Sequence, residues 1–252
     1  MRRHRFHRQL SLVLALALPL AAGAQQITVS AAASLMDAFK ELAPKFEALV
    51  PGVTVRLNFA ASGVLLQQIV QGAPVDVFAS ADQETMNRSA DQGLIDPQTR
   101  RNFATNTLVM IEPVKDGVGL KSLQDLTGAQ VKKIAVGKLA TVPVGRYTQQ
   151  ALDAAKLWSV LERKFVQADS VRQVLDYVGR GEVEAGFVYR TDAATMAGKV
   201  RVVLAPEGYT PVSYPVAVVA DSRQKAVAKQ FVAFLAGETG VQTLAKHGFG
   251  TP

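Results

Sequence analysis

The chain contains no cysteine, and beyond residue 24 it contains a single histidine, His247. Disulfides, thiolate metal sites and clusters of histidine ligands are therefore excluded. A serine–histidine–aspartate triad would have only this one base available. The chain also lacks a basic stripe with interleaved aromatic residues, which argues against a nucleic-acid partner. No segment after the N-terminus approaches the length of a membrane span.

The N-terminal segment Met1–Ala24 is predicted to be a cleavable secretory signal. Four arginines and no acidic residue open it, the apolar run Leu10–Leu20 follows, and small residues precede a cleavage site near Ala24. Basic start, apolar middle and small-residue end are the three parts of such a signal. An uncleaved membrane anchor is the alternative, but the apolar run is too short to span a bilayer.

Removal of this segment changes the size and the charge of the working protein. The first 24 of 252 residues carry four of the basic residues, so about 228 residues remain and the formal net charge falls from +7 to +3. A chain of that size forms one large domain or two small ones. The remaining positive charge is mild, and it favours an anion only weakly.

Short apolar runs alternate with amphipathic segments along the whole remaining chain. Helical three- and four-residue spacing of apolar residues occurs in Leu35–Leu49, where Pro44 is expected to kink or end the helix, and again in Val171–Val178 and Val227–Leu235. The predicted strands are Ile27–Ala32, Val53–Phe59, Val75–Ser80, Thr107–Ile111, Lys133–Val136, Phe165–Gln167, Ala185–Tyr189, Val200–Leu204 and Tyr214–Ala220. This alternation predicts an α/β fold with mostly parallel sheets covered by helices.

Two segments are candidates for crossings between domains. Phe103–Val114 places a strand after a loop and ends near a proline, and Glu207–Pro215 is rich in glycine, proline and tyrosine. If both are crossings, the chain leaves a first domain, builds a second and returns. Two such connections would form a hinge over a cleft.

Four junctions between a predicted strand and a predicted helix share one chemical character. Ser34 and Ser170 suit helix N-caps, with Asp37 and Gln173 three residues on at capping-box spacing. The other two junctions are Phe59–Gly63, which contains Ser62, and Thr141–Gly145, where Pro143 suits a first helical position.

Each of these junctions offers free backbone N–H groups at the positive end of a helix. Such groups gather beyond the carboxyl ends of strands in α/β sheets, and a small oxyanion is the natural ligand for them. Small residues around Ser34 and Ser62 leave room for close approach to the backbone, and Tyr189 ends a strand that reaches the same region. The alternative is that the serines only cap helices and that Tyr189 is an ordinary strand-end tyrosine.

Several segments, taken together, resemble the periplasmic molybdate-binding proteins of ABC importers. The similarity runs in order from about Ile27 to the C-terminus. The segments are Ile27–Met36, Phe59–Ile69, Gly72–Asp82, Val142–Tyr147, Gly186–Asp192 and Tyr214–Val219. The resemblance implies two similar α/β lobes joined by two crossing segments, with residues 25–105 and 215–252 in lobe 1 and residues 106–214 in lobe 2.

The resemblance also implies the ligand and its contacts. Molybdate, or tungstate, would lie in the cleft between the lobes, with no direct bond from the protein to the metal and no cofactor. The protein would be a monomer that delivers its ligand to a membrane permease. The implied contacts are the hydroxyls of Ser34, Ser62 and Tyr189 and the backbone N–H groups of Val144 and Val171.

Two positions depart from the family pattern. Lys138 stands where many relatives carry an acidic residue, and Val144 stands where relatives often have alanine. A backbone donor tolerates a changed side chain, whereas the effect of Lys138 at the rim of the cleft is left open.

Three other functions remain open at this point. The first is a receptor for another oxyanion, such as sulfate, thiosulfate or phosphate. The second is a secreted serine hydrolase that uses Ser34 or Ser62, although the chain has no G-x-S-x-G elbow. The third is the effector domain of a transcription regulator, which would need a DNA-binding segment where the signal stands.

Overall fold

The structure, a computed structural model, describes residues Gln25–Pro252. The predicted signal segment Met1–Ala24 lies outside the described residues. In the described part, no helix combines the length and the apolar character that crossing a membrane requires.

Ten strands and nine α-helices follow one another along residues 25–252. The strands are β1 (Gln25–Ala32), β2 (Val53–Ala60), β3 (Val77–Ala79), β4 (Arg101–Asn106), β5 (Leu108–Pro113), β6 (Ile134–Gly137), β7 (Phe165–Ala168), β8 (Ala185–Tyr189), β9 (Val200–Leu204) and β10 (Val212–Val218). The helices are α1 (Met36–Leu49), α2 (Ser62–Val70), α3 (Gln83–Asp91), α4 (Pro143–Ala154), α5 (Trp158–Leu161), α6 (Val171–Gly179), α7 (Arg190–Thr195), α8 (Lys225–Ala236) and α9 (Glu238–Lys246). The predicted α/β class is confirmed.

The strands form two five-stranded sheets of the same design, one in each lobe. The first has the order β2-β1-β3-β10-β4 and the second the order β7-β6-β8-β5-β9. In each sheet the first three strands are parallel and the last two join antiparallel. The sheets are thus mixed, with a parallel half whose carboxyl ends all lie at one edge.

The chain passes between the sheets twice. It leaves the first sheet after β4, passes through Thr107 and enters the second sheet at β5. It returns through residues 205–211, between β9 and β10. Both passages lie side by side, because β4 pairs with β10 up to the register Asn106–Val212.

Helix α1 shows how the apolar spacing sets the packing. Phe39, Leu42 and Phe46 are buried on one face, and the ring of Phe46 lies 5.0 Å from the ring of Phe231 in α8. Pro44 was expected to kink or end this helix. The helix continues past it to Leu49, because the proline stands on the exposed outer face.

The sequence predictions missed one strand, β4. Its sequence, RNFATN, is largely polar and shows no apolar run. It is the last strand of its sheet: it pairs with β10 on one side, and on the other side the described residues show only an isolated bridge between Thr105 and Gly250. An edge strand needs less apolar surface than a central one, so hydrophobic patterning does not reveal it.

Candidate functional site

A small cavity of about 10 Å³ lies between the two lobes. Its walls are Ala32, Ala33, Ser34, Ala61, Ser62, Ala81, Val142, Pro143, Val144, Val171 and Tyr189. All five residues that the sequence assigned to the ligand are among them. They converge because each follows or ends a parallel strand, β1, β2, β6, β7 or β8, at the edge where α/β folds bind ligands.

Ser34 does not cap a helix, and the expectation that it does was wrong. It lies in a 3-10 turn, Ala33–Leu35, that precedes α1, and its side chain makes no capping hydrogen bond. Its Oγ lies instead 3.1 Å from the Oη of Tyr214. The side chain of Asp37, expected to complete a capping box, forms an ion pair of 2.7 Å with Arg172.

Ser62 is the first residue of α2 and also makes no capping bond. Its Oγ accepts a hydrogen bond of 3.0 Å from the backbone N–H of Ala81, at the end of β3. A hydroxyl whose oxygen is already approached by a fixed donor points its own hydrogen elsewhere. Ser62 is fully buried and lines the cavity, so its hydroxyl can donate into the cavity.

Two helix N-termini supply backbone donors. Val171 is the first residue of α6, and Val144 is the second residue of α4, after Pro143 at the first position as expected. The first N–H groups of a helix have no partner within it. Neither of these two N–H groups donates to another group in the described part of the chain. Both point a partial positive charge toward the cavity.

Ser170 differs from the other two serines. Its Oγ accepts a hydrogen bond of 3.2 Å from the N–H of Gln173, so it caps α6 as predicted. It does not line the cavity.

Tyr189 carries a buried hydroxyl without a hydrogen-bond partner among the described residues. The residue is 1% exposed. Burial raises the pKa of Tyr189 well above its usual value, so the hydroxyl keeps its proton and can donate it. An unpaired buried polar group costs about 1–3 kcal/mol, which is what a ligand oxygen at this position would recover.

The cavity wall contains no charged side chain. Its polar side chains are the three hydroxyls, each of which can donate a hydrogen bond, and the free N–H groups of Val144 and Val171 add two backbone donors. Prearranged neutral donors of this kind can hold an anion without a cationic ligand. The wall contains no carboxylate that would accept a proton from a ligand.

Several contacts join the two lobes around the cavity, among them one backbone hydrogen bond and two ion pairs. The N–H of Gly63 donates to the carbonyl of Thr141 at 2.9 Å. Arg146, in the first turn of α4, pairs with Asp82 of the first lobe. Arg172, in the first turn of α6, pairs with Asp37 of the first lobe. Sequence reasoning missed both of these ion pairs, because each partner is more than 60 residues away along the chain.

Arg172 also contacts a carboxylate of its own lobe. Its Nε lies 2.7 Å from the Oδ1 of Asp192, which is fully buried in the first turn of α7. Burial raises the pKa of Asp192 to about 6 despite the favourable charge of Arg172. Burial by itself lowers the pKa of Arg172. The negative charges of Asp192 and Asp37 raise it by more, so the pKa of Arg172 lies above its usual value.

Lys138 does not line the cavity. Its Nζ pairs with the Oδ1 of Asp169, and both side chains are largely exposed. The lysine charge is therefore offset by an acidic neighbour within the same lobe.

These features define a class of protein, a two-lobed α/β binding protein with a closed, donor-lined cleft. The chain belongs to the bacterial extracellular solute-binding protein family, whose model matches residues 27–250. It is thus a solute-binding protein and not an enzyme, and the serine-hydrolase alternative is wrong. His247, the single base such a hydrolase could use, is instead paired with Glu41 at 2.9 Å.

Several named relatives cover nearly the whole chain. A molybdate-binding protein of Mycobacterium tuberculosis is 38% identical, over 91% of this chain and 86% of its own length. The molybdate-binding protein of Escherichia coli is 37% identical, over 89% and 88%. Among solved structures, the periplasmic molybdate-binding protein of Azotobacter vinelandii superimposes with a TM-score of 0.79 at 27% identity, over 90% of this chain and 99% of that one.

Proposed function

We propose that this protein is the periplasmic substrate-binding component of an ABC importer and that it captures molybdate, and tungstate, in the cleft between its lobes. The observation that carries the proposal is the buried, unpartnered hydroxyl of Tyr189, which faces the same cavity as Ser34 and Ser62. The three hydroxyls and the N–H groups of Val144 and Val171 would bind the anion. The identity of 37–38% to molybdate-binding proteins supports the choice of ligand.

A wall with several donors and no carboxylate favours an oxyanion that carries no proton. Every oxygen of molybdate is an acceptor and can face a hydroxyl or an amide. A hydrogen phosphate would bring an O–H that needs an acceptor, and the wall offers it neutral oxygens but no carboxylate. A mismatched donor of this kind leaves buried polar groups unpaired, which costs about 1–3 kcal/mol each.

Sulfate is the second candidate, because it has the charge and shape of molybdate and is also free of protons at neutral pH. The donors themselves do not separate the two anions. Discrimination rests on size, since molybdate is larger and a cavity shaped for it holds sulfate at longer distances from the donors. Tungstate is nearly the same size as molybdate and is expected to bind about equally.

The remaining parts of the proposal concern the whole protein. We place residues 25–106 and 212–252 in lobe 1 and residues 107–211 in lobe 2, one and three residues from the expected boundaries, because β4 and β10 belong to the first sheet. Closure of the lobes buries the anion and presents a ligand-specific surface to the membrane permease. The protein is exported after cleavage near Ala24 and acts as a monomer.

Thermal unfolding of the mature protein with different anions tests this function. Molybdate and tungstate should each raise the melting temperature strongly, because a ligand that binds only the folded state stabilises it. Sulfate, thiosulfate and phosphate at the same concentration should have little effect. Equal shifts from sulfate or phosphate would overturn the assignment. A double variant, Ser34→Ala with Ser62→Ala, is the control that should lose the molybdate shift.

A further inference from the structure

Asn106, Tyr214 and Ser34 form a continuous chain of hydrogen-bonding side chains that ends at the cavity. Asn106 ends β4 at the first crossing, and Tyr214 lies in β10 just after the second. The Nδ2 of Asn106 lies 3.2 Å from the Oη of Tyr214, and this Oη lies 3.1 Å from the Oγ of Ser34. Tyr214 itself is fully buried and does not line the cavity.

The contacts of Asn106 determine which atom is the donor in each of these hydrogen bonds. The Oδ1 of Asn106 accepts from the N–H of Thr107 at 2.9 Å, so its Nδ2 must be the atom that faces Tyr214. The same Nδ2 donates to the Oγ1 of Thr191 at 2.9 Å, which holds the amide in this orientation across the lobes. An amide nitrogen only donates, so the Oη of Tyr214 accepts from it.

The proton of Tyr214 is then left with one acceptor. Among the described residues, Ser34 is its only other hydrogen-bond partner. Burial raises the pKa of Tyr214 well above its usual value, so the proton stays on the hydroxyl. The Oγ of Ser34 therefore accepts it, which leaves the hydrogen of Ser34 free to donate into the cavity that this residue lines. The N–H of Ala81 has the same effect on Ser62.

We propose that Tyr214 and Asn106 are positioning residues that set Ser34 as a hydrogen-bond donor to the anion. This inference rests on the proposed function, because it presumes that an oxyanion occupies the cavity. The inference goes beyond that function because it gives residues beside the two crossing segments a direct role in the binding site. Asn106 also donates to Thr191 of the second lobe. The orientation of the Asn106 amide, and through Tyr214 the orientation of the Ser34 hydroxyl, therefore depends on how the two crossing segments are arranged.

Calorimetric titration with molybdate tests this in a double-mutant cycle. Tyr214→Phe removes only the hydroxyl and should weaken binding roughly three- to tenfold, the effect of one lost neutral hydrogen bond. In a Ser34→Ala background the same change should weaken binding by less than about twofold, because the group it positions is absent. Such non-additivity marks residues that act through one another.

Tyr209→Phe is the matched control. Tyr209 belongs to the same aromatic cluster, but its hydroxyl accepts from the N–H of Leu108 and does not reach the cavity. Its removal should lower the melting temperature of the ligand-free protein and leave molybdate affinity within about twofold of the parent. If Tyr214→Phe is too unstable to titrate, Asn106→Ala is taken through the same cycle.

The outcomes separate this inference from the proposed function. If the parent protein binds no molybdate, the function fails and the inference fails with it. If the parent binds and Ser34→Ala weakens binding, but Tyr214→Phe has the same effect in both backgrounds, the function stands and the inference is overturned. A Tyr214→Phe variant that binds as the parent does would overturn it too.

Discussion

The N–H of Gly63 donates a hydrogen bond of 2.9 Å to the carbonyl of Thr141, and this bond joins the first lobe to the second beside the cavity. A Cβ at residue 63 would lie 2.7 Å from the Cα of Thr141 and 2.8 Å from its carbonyl oxygen. Both neighbours are backbone atoms and cannot rotate away. Glycine at this position thus allows the two backbones to approach as closely as the closed cleft requires.

The first prediction follows from this contact. Gly63→Ala should weaken molybdate binding at least tenfold, because the methyl group keeps the lobes apart. The ligand-free protein should be as stable as the parent or slightly more so, since alanine favours a helix over glycine by about 1 kcal/mol. Titration calorimetry gives the affinity, and small-angle scattering shows whether ligand still makes the protein more compact.

Gly198→Ala provides the control for this prediction. A Cβ at residue 198 would meet no atom within 4 Å, so this variant should bind as the parent does. Full affinity and full compaction in Gly63→Ala would show that the Gly63–Thr141 contact does not limit closure.

The second prediction separates the serines by role. Ser34→Ala and Ser62→Ala should each weaken molybdate binding about ten- to a hundredfold, the effect of a hydrogen bond to a charged group. Ser170→Ala should instead lower the stability by about 1 kcal/mol, because it removes the cap of α6. Titration and ligand-free melting curves of the three variants decide this. Parent-like binding by both Ser34→Ala and Ser62→Ala would show that the site is elsewhere.

The third prediction concerns the ion pair between Arg146 and Asp82. Their side chains are 12% and 6% exposed in the closed protein, and opening would return both to water. Arg146→Met should therefore destabilise the closed form more than the open form, which should weaken molybdate binding by about tenfold. The effect on the melting temperature of the ligand-free protein should be smaller.

Arg180→Met is the matched control, because Arg180 is exposed and pairs with Glu182 in the same lobe. Exposed pairs contribute little, so this variant should bind as the parent does. Equal affinities for the two arginine variants would contradict a role for Arg146 in closure.

The fourth prediction is a pH dependence caused by Asp192. Burial raises its pKa in the folded protein from 3.8 to about 6, so the folded state binds this proton more tightly than the unfolded state does. The resulting stabilisation is fully present below about pH 3.8 and is lost as the pH rises through 6. Asp192→Asn removes this effect, so the variant should gain stability relative to the parent as the pH is raised from 4 to 7.

Thermal unfolding of both proteins at intervals between pH 4 and pH 7 measures this difference. Asp169→Asn, which changes an exposed carboxylate paired with Lys138, is the control for loss of a charge. A difference between Asp192→Asn and the parent that falls with rising pH would show that the pairing with Arg172 outweighs burial.

The sequence by itself determined most of the helices and strands and, through the family resemblance, the candidate residues of the site. Apolar spacing is a local property, so it predicted α1 and α6, and the strands Ala185–Tyr189 and Val200–Leu204 agree with the structure to the residue. The family resemblance pointed to five positions that the fold brings to one cavity. Strand ends and helix starts are fixed by neighbouring residues, and parallel strands gather those ends at one edge.

Only the tertiary structure decided how the site is held. Whether a serine caps a helix or faces a ligand depends on which distant group approaches its oxygen. The Oη of Tyr214, 180 residues along the chain, approaches the Oγ of Ser34, and the N–H of Ala81 approaches the Oγ of Ser62. The polar strand β4, which brings Asn106 to Tyr214, has no apolar pattern and exists because β10 pairs with it. The pairs that close the cleft form between lobes, so no local pattern encodes them, and they become visible only when the two lobes meet.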